Sequence, residues 1–222
     1  MKRLLAILLV LLLTGCNINS SVSVPDGGSH SGDLSTVNGS VRVGVDGQVD
    51  GDASTINGSI TIGDRATVEE VSTVNGSATI GDDVVLLNAE AVNGSIVTGA
   101  RLRAAGSLET VNGKIDVGPE SVVDEGIFSV NGALIVRGAE VGSITTVNGS
   151  ITLEPNSRVN GEILVERPRG FSNGDSDPVQ VVIGANSEVV GPLTFERPVD
   201  LRIHETATVG EINGAEPVYF NQ

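Results

Sequence analysis

A short motif that recurs along the chain constrains its fold more than any other feature. Its centre is Asn-Gly, preceded by Val or Ile and most often followed by Ser. Successive copies are spaced by 17 to 19 residues. Such a short, fixed period is typical of repeat architectures, in which each repeat buries its apolar side only by stacking on its neighbours. The seven main copies have their asparagines at Asn38, Asn57, Asn75, Asn93, Asn112, Asn131 and Asn148.

Apolar residues also return at about every sixth position. Three such steps make one repeat, which predicts a coil of three short strands, each pairing with its equivalents in the coils above and below. The sequence therefore predicts an all-β fold, a single-stranded, three-faced parallel β-helix (β-solenoid) with about 18–19 residues per coil. The residues before Asn-Gly, from Val37 to Val147, are expected to form one buried column. The clearest six-residue run is Ile56, Ile62, Val68, Val74, Ile80, Leu86 and Val92.

An antiparallel meander is the competing fold, because Asn-Gly between apolar residues is the strongest short hairpin signal. The segments after Asn-Gly, such as 77–81, are short, and a hairpin gives no reason for a six-residue spacing. The solenoid explains both observations. Its handedness stays open, since this spacing suits left- and right-handed coils alike.

The Asn-Gly pairs are predicted to be the corners of the coils. Asn tolerates left-handed backbone angles, and its amide can hydrogen-bond to the equivalent Asn of the next coil. Gly accepts a bend that a Cβ would prevent. The seven asparagines are therefore interpreted as structural residues.

The first residues indicate export. Lys2 and Arg3 precede an apolar stretch over 4–13, which as a helix would rise only about 15 Å and would not span a bilayer. The following Leu13-Thr14-Gly15-Cys16 resembles the lipobox of bacterial lipoproteins. The resemblance implies cleavage before Cys16, the only cysteine, and its lipidation. An ordinary secretory signal with a stray cysteine is the alternative.

The same resemblance implies a place in the bacterial cell envelope, anchored to the membrane by the N-terminal lipid. Asn17 after the cysteine resembles the outer-membrane sorting default of enterobacterial lipoproteins. Removal of 1–15 moves the formal net charge from −15 to −17, because Lys2 and Arg3 are lost. A surface this acidic disfavours nucleic acid. Self-association and an envelope protein or glycan remain as expected partners.

Composition shifts divide the chain into five segments. Residues 17–33 lack an apolar period and are rich in Ser and Gly, which predicts a flexible tether. At the far end, Tyr219 and Phe220 are predicted to cover the last coil. The predicted segments are the signal peptide 1–15, the lipidated tether 16–34, the regular repeats 35–166, an inserted loop 167–178, and C-terminal coils with a cap over 179–222.

The proline-bounded loop 167–178 is the one break in the repeats. It brings Arg167 and Arg169 to an otherwise acidic body. Irregular loops on rigid scaffolds often bind partners, and a tolerated insertion explains the loop equally well.

No catalytic residue, cofactor or metal site is predicted. The chain lacks a His-Glu-x-x-His motif, a Walker loop and cysteine-based metal spacing. His30 and His204 lie far apart in sequence, although a Ser-His-Asp triad is defined by geometry that the sequence does not give. Aspartates that follow the motif lack calcium-loop spacing and are predicted to be solvated turn residues. These are Asp50, Asp52, Asp64, Asp82 and Asp83.

Two stretches of the repeats, Ile62-Gly-Asp-Arg-Ala-Thr-Val68 and Ile183-Gly-Ala-Asn-Ser-Glu-Val189, resemble the coils of bactofilins, polymer-forming bacterial β-helix proteins. The resemblance covers most of 36–214, while the lipobox and the larger number of coils depart from that family. We therefore expect a non-enzymatic, lipid-anchored envelope protein that acts as a scaffold, spacer or interaction rod. The alternative is a carbohydrate-active or carbohydrate-binding envelope β-helix protein, which needs paired carboxylates and aromatic faces. Clustering of Asp and Glu on one face would favour the alternative.

Overall fold

The computed structural model describes residues 19–168 and 177–221. Within these ranges the chain forms thirty short β-strands and no helix. The strands lie in three parallel sheets, which we name sheets A, B and C, and the chain visits them in turn. Every hydrogen-bonded pair of described strands is parallel, so the prediction of an antiparallel meander is wrong. The β-solenoid is confirmed, with about ten coils.

Sheet A contains the strands that lead into the Asn-Gly corners, together with two strands that are followed by Glu-Arg at the same position. Its strands are β3 (Leu34–Asn38), β6 (Ala53–Asn57), β8 (Glu70–Asn75), β11 (Asn88–Asn93), β14 (Ser107–Asn112), β17 (Gly126–Asn131), β20 (Ile144–Thr146), β23 (Ile163–Val165), β26 (Leu193–Phe195) and β29 (Ile212–Asn213). The two strands followed by Glu-Arg are β23 and β26.

Sheet B contains the strands that follow these corners. They are β1 (Val22–Val24), β4 (Val41–Val43), β7 (Ile60–Ile62), β9 (Ala78–Ile80), β12 (Ile96–Thr98), β15 (Ile115–Val117), β18 (Leu134–Val136), β21 (Ile151–Leu153), β24 (Val179–Ile183), β27 (Val199–His204) and β30 (Val218–Phe220).

Sheet C forms the third face of the triangular coils. Isolated β-bridges of Thr67 link its first two strands to the remaining strands. Its strands are β2 (Ser29–Ser31), β5 (Gln48–Asp50), β10 (Val85–Leu86), β13 (Arg103–Ala104), β16 (Val122–Val123), β19 (Glu140–Val141), β22 (Arg158–Val159), β25 (Glu188–Val189) and β28 (Thr208–Val209).

The core is a column of aliphatic side chains inside the triangle, and the motif contributes to it differently from the prediction. Val37, Val111 and the equivalent residues point outward and are half-buried, so the predicted buried column is wrong. The residue before each of them faces inward, as Thr36 and Thr110 do. Side chains alternate along a strand, so only one of the two neighbours can face the core.

Threonine suits this inward position because its hydroxyl finds a partner in the stack. Thr55 Oγ1 donates to the Gly39 carbonyl oxygen at 2.8 Å, and Thr110 Oγ1 donates to that of Gly94 at 3.0 Å. A buried hydroxyl without a partner would be costly. In these coils the hydroxyl therefore ties one coil to the one before it, whereas Ala91 has no hydroxyl and the Ser129 hydroxyl has no partner.

The motif asparagines form one continuous ladder along the corner between sheets A and B. Each amide nitrogen donates to the amide oxygen of the preceding coil's asparagine at 2.9–3.0 Å. The ladder begins at Asn19, which sequence analysis did not single out. Its members are Asn19, Asn38, Asn57, Asn75, Asn93, Asn112, Asn131 and Asn148.

The left-handed backbone angles predicted for these asparagines lie at another corner, between sheets B and C. Asp46, Arg65 and Asp83 have φ of 55–58° there. Side-chain bonds between coils offset part of the energetic cost of these backbone angles. Arg65 Nε, for example, donates to Asp46 Oδ1 at 2.7 Å. The motif asparagines stay in extended strand ends, where their amides stack in register.

The tether prediction is wrong from Val22 onward. Strand β1 pairs with β4 and strand β2 pairs with β5, so 22–31 belong to the first coil. Ser20 and Ser21 are engaged as well: the Ser20 carbonyl oxygen accepts from Thr36 Oγ1, and Ser21 Oγ accepts from the Ser40 amide. Strands that pair through their backbones do not require apolar residues at a regular spacing. For this reason no apolar pattern in the sequence indicates this coil.

At the other end, β30 is the last strand of sheet B. Tyr219 pairs with Ile203, whose side chain is fully buried, while Tyr219 and Val218 are each 59% exposed. The ring of Phe220 lies edge-on to His204, and the Arg202 guanidinium lies over it at 5.3 Å. The final coil thus presents apolar surface to solvent.

The glycines of the corner are required by the closeness of the coils. A Cβ on Gly94 would lie 1.7 Å from the Gly76 carbonyl oxygen. We expect Gly94→Ala to force adjacent coils apart and to lower the free energy of unfolding by about 3 kcal/mol or more. Urea unfolding followed by circular dichroism measures the loss. Ser95→Ala is the matched control and should cost less than about 1 kcal/mol; equal losses would contradict the steric account.

Candidate functional site

The sequence-predicted site residues are dispersed. Cys16 and Arg169 lie outside the described residues. Arg167 is exposed, its amide donates to Glu196 Oε2 at 3.0 Å, and its Nε donates to the Glu196 carbonyl oxygen. These contacts hold Arg167 against the following coil.

Arg197, which sequence analysis missed, ends the asparagine ladder. Its Nη1 donates to Asn148 Oδ1 at 2.5 Å and to the Val147 carbonyl oxygen at 3.0 Å, and the side chain is 92% buried. The loop 167–178 interrupts the corner where the next Asn-Gly would stand. A longer side chain is therefore needed to reach the last ladder amide.

The two histidines do not form a joint site. His30 lies on β2 in the first coil, and His204 lies on β27 near the other end. His204 Nδ1 is 3.0 Å from Thr206 Oγ1.

Most of the predicted turn aspartates link neighbouring coils. Asp64 Oδ1 accepts from the Asp82 amide, Asp82 Oδ1 accepts from the Ala100 amide, and Asp83 pairs with Arg101. In the described ranges no group of three or more His, Cys, Asp and Glu side chains is arranged to hold a metal ion.

Four carboxylates lie together on the outer surface of sheet A, and we name Asp52, Glu70, Glu90 and Glu109 the carboxylate group. Glu90 on β11 is paired with Glu109 on β14, so the two stand one strand apart, about 4.8 Å. Glu70 lies on β8, and Asp52 precedes the strand that pairs with it. The solenoid register therefore brings together side chains that are distant in sequence.

The carboxylate group carries uncompensated charge. Burial, followed by the charges of Glu70 and Glu109, raises the pKa of Glu90 to about 7. Burial and neighbouring carboxylates also raise the pKa of Glu70 and that of Asp52. Within the described part of the chain, no Lys or Arg forms an ion pair with any of the four.

Asp116, a carboxylate on sheet B, differs from the carboxylate group because it has cations beside it. Asp116 accepts from Arg137 Nε at 2.6 Å and from Lys114 Nζ at 3.0 Å. The Arg137 guanidinium, more than Lys114, holds the pKa of Asp116 below its usual range. Among residues 19–168 and 177–221, no such cation forms an ion pair with the carboxylate group on sheet A.

The surroundings of the carboxylate group are partly apolar. Phe128 on β17 is paired with Glu109 and is half-buried on the same row, and Val92 and Val111 form the neighbouring outward row. The Ser107 hydroxyl donates to Glu109 Oε1 at 2.9 Å. Glu90, with its pKa raised to about 7, beside the hydrogen-bonded Glu109 is an arrangement able to give and accept protons.

These glutamates are not among the residues predicted from the sequence. A signal was present, because Glu90 and Glu109 each stand three residues before a motif asparagine. Residues at equal offsets in adjacent repeats share a row, so the offset alone would have placed them together.

Comparison of the chain with protein-family models, curated proteins and solved structures finds no match in any of the three. Within 19–168 and 177–221, no helix has the length and apolar character needed to cross a membrane. The fold defines the chain as a parallel β-solenoid, and its function has to be argued from its surfaces and its ends.

Replacing Glu90 should change how stability depends on pH. Its pKa is raised from the ordinary 4.5 to about 7 in the folded chain, so its contribution to stability is present at low pH and is lost as pH rises through this window. We expect Glu90→Gln to raise the thermal midpoint relative to the parent at about pH 8, and the gap to close near pH 5.

Thermal unfolding at both pH values measures this effect. Asp124→Asn removes an exposed carboxylate elsewhere and should show no comparable closing of the gap. A Glu90→Gln difference that is the same at both pH values would contradict the burial of this charge.

Proposed function

We propose that the protein is a non-enzymatic, lipid-anchored rod of the bacterial cell envelope, which acts as a scaffold, spacer or interaction surface. The observation that carries this proposal is the in-register stack over the described residues, with an asparagine ladder from Asn19 to Asn148. A stack bonded at each coil resists bending and sets a fixed distance between its ends.

The dimensions and charge support this role. Sheet B has eleven strands, which at a strand spacing near 4.8 Å gives a length of about 48 Å. The formal net charge of −15 keeps such a rod soluble and disfavours anionic partners. A rod needs no cofactor, and its partners would be further copies of this chain, an envelope protein or a glycan.

The anchor is the lipobox cysteine. Lipidation of Cys16 with several acyl chains would hold the rod stably at a membrane, whereas a single chain would bind only marginally. Asn17 supports placement in the outer membrane.

Replacing Cys16 tests the anchor. We expect Cys16→Ser to abolish incorporation of radiolabelled palmitate and to move the protein from the membrane fraction, because no other thiol can accept the lipid. Thr14→Ser, which keeps a small residue in the lipobox, is the control and should be labelled like the parent. An unlabelled parent chain would contradict the proposal.

The soluble Cys16→Ser chain without its signal peptide also separates two forms of the role. End-to-end filaments in electron micrographs would indicate an assembling scaffold, whereas separate short rods would indicate a spacer. Compact particles without elongation would contradict a rod.

A carbohydrate-active protein is the second candidate, and the pair of Glu90 and Glu109 favours it. Two carboxylates on adjacent strands, one of them with its pKa raised to about 7, resemble the carboxylate pair of glycoside hydrolysis. Phe128 beside Glu109 offers an aromatic face to a sugar. The clustering of carboxylates on sheet A is the pattern that the sequence-based alternative requires.

Incubation of the protein with cell-wall and capsular glycans tests this candidate. If the rod is non-enzymatic, we expect no release of reducing ends. Release that is lost in both Glu109→Gln and Glu90→Gln, and kept in Asp124→Asn, would replace the first proposal by the second.

A further inference from the structure

The folded solenoid begins very close to the lipobox cysteine. Asn19 already belongs to the asparagine ladder, since its Oδ1 accepts from Asn38 Nδ2 at 2.9 Å. Three residue steps separate Cys16 from Asn19, and such a length of chain reaches at most about 10 Å. A lipid on Cys16 would therefore hold the first coil at the bilayer surface, without a long tether.

The N-terminal edge of the solenoid is suited to polar headgroups. Strand β2, Ser29–Ser31, is exposed along its whole length and carries two hydroxyls and an imidazole. Strands β1 and β2 each pair with a neighbour on one side only within the described residues. Such an edge has free backbone donors and acceptors, which headgroups and their water can satisfy.

The carboxylates of the first coil turn away from this edge. Asp26 Oδ1 accepts from the Val45 amide at 2.9 Å, and Asp33 Oδ1 accepts from the Asp52 amide at 3.1 Å. Both acceptors thus lie toward the second coil. The edge nearest Cys16 therefore presents Ser and His side chains, in a chain whose formal net charge is −15.

We propose that the first coil docks on the lipid headgroups and that the rod stands upright, with β30 at its distal end. This orientation rests on the proposed lipidation of Cys16. A rod lying flat on sheet A would bring the carboxylate group to an anionic surface, which repels it. Upright, only the first coil meets the bilayer.

The two ends then have different tasks. The membrane covers the proximal edge, while the distal coil presents Val218 and Tyr219, each 59% exposed, at about 48 Å from the surface. Stacking of a second copy on the proximal end is blocked in the anchored protein. Contacts with a partner are left to the distal end and the sides.

Energy transfer from three heights on the rod to the membrane tests the orientation. Cys16 is the only cysteine, so in the acylated full chain a maleimide dye reacts only with an introduced cysteine. The variants are Ser31→Cys beside the first coil, Asp124→Cys after β16, and Glu216→Cys before β30. The acylated proteins are placed in vesicles of phosphatidylethanolamine and phosphatidylglycerol that carry an acceptor on a headgroup.

Transfer should be strongest from position 31, and the distance should grow by about 24 Å to position 124 and by about 48 Å to position 216. Equal transfer from all three positions would overturn the upright orientation. As a matched control, a Gly/Ser linker of about 20 residues inserted between Ile18 and Asn19 should largely abolish the gradient. A gradient unaffected by the linker would overturn the role of the short connection to Cys16 in holding the rod upright.

The outcome separates this inference from the proposed function. If Cys16 is not acylated, the protein stays off the vesicles and Cys16 itself reacts with maleimide, which refutes the anchor. Membrane-bound protein with equal transfer at the three positions refutes only the upright orientation.

Discussion

The close approach of successive coils at the Asn-Gly corner is the constraint on which the rest of the structure depends. The added Cβ that would lie 1.7 Å from a carbonyl oxygen at Gly94 shows that the backbones nearly touch there. At this spacing an asparagine amide reaches its equivalent in the next coil, and a buried threonine hydroxyl reaches the glycine carbonyl. The motif therefore stabilises the corner in three ways, through the small glycine, the asparagine ladder and the threonine hydroxyl. Its repetition builds the rod.

Departures from the ladder mark the places with other roles. Where the loop 167–178 displaces Asn-Gly, Arg197 reaches back to Asn148 and closes the ladder. On sheet A, glutamates replace serines in an outward row and gather charge without cations beside them. At the ends, the exposed Ser and His side chains of β2 and the exposed Val218 and Tyr219 of β30 give the rod a direction.

The period of the motif was sufficient to predict the solenoid, because a coil of three strands must repeat the same positions. Which residue of the motif faces the core was harder to predict. Both Ile56 and Thr55 are compatible with a core, and the Gly39 carbonyl of the preceding coil explains why the threonine is inside. The composition of the first coil predicts a tether, because its strands pair through backbone atoms with partners that lie one coil away. For the same reason, the proximity of Glu90 to Glu109 depends on the register.

The sequence by itself determined the parallel stack, the length of a coil and the positions of the corner glycines, since these follow from a periodic pattern of side-chain types. Tertiary structure alone decided which motif residue faces the core, where the stack begins and which carboxylates meet. These outcomes depend on hydrogen bonds and burial between residues about 18 positions apart, and the chain acquires those contacts only when one coil lies on another.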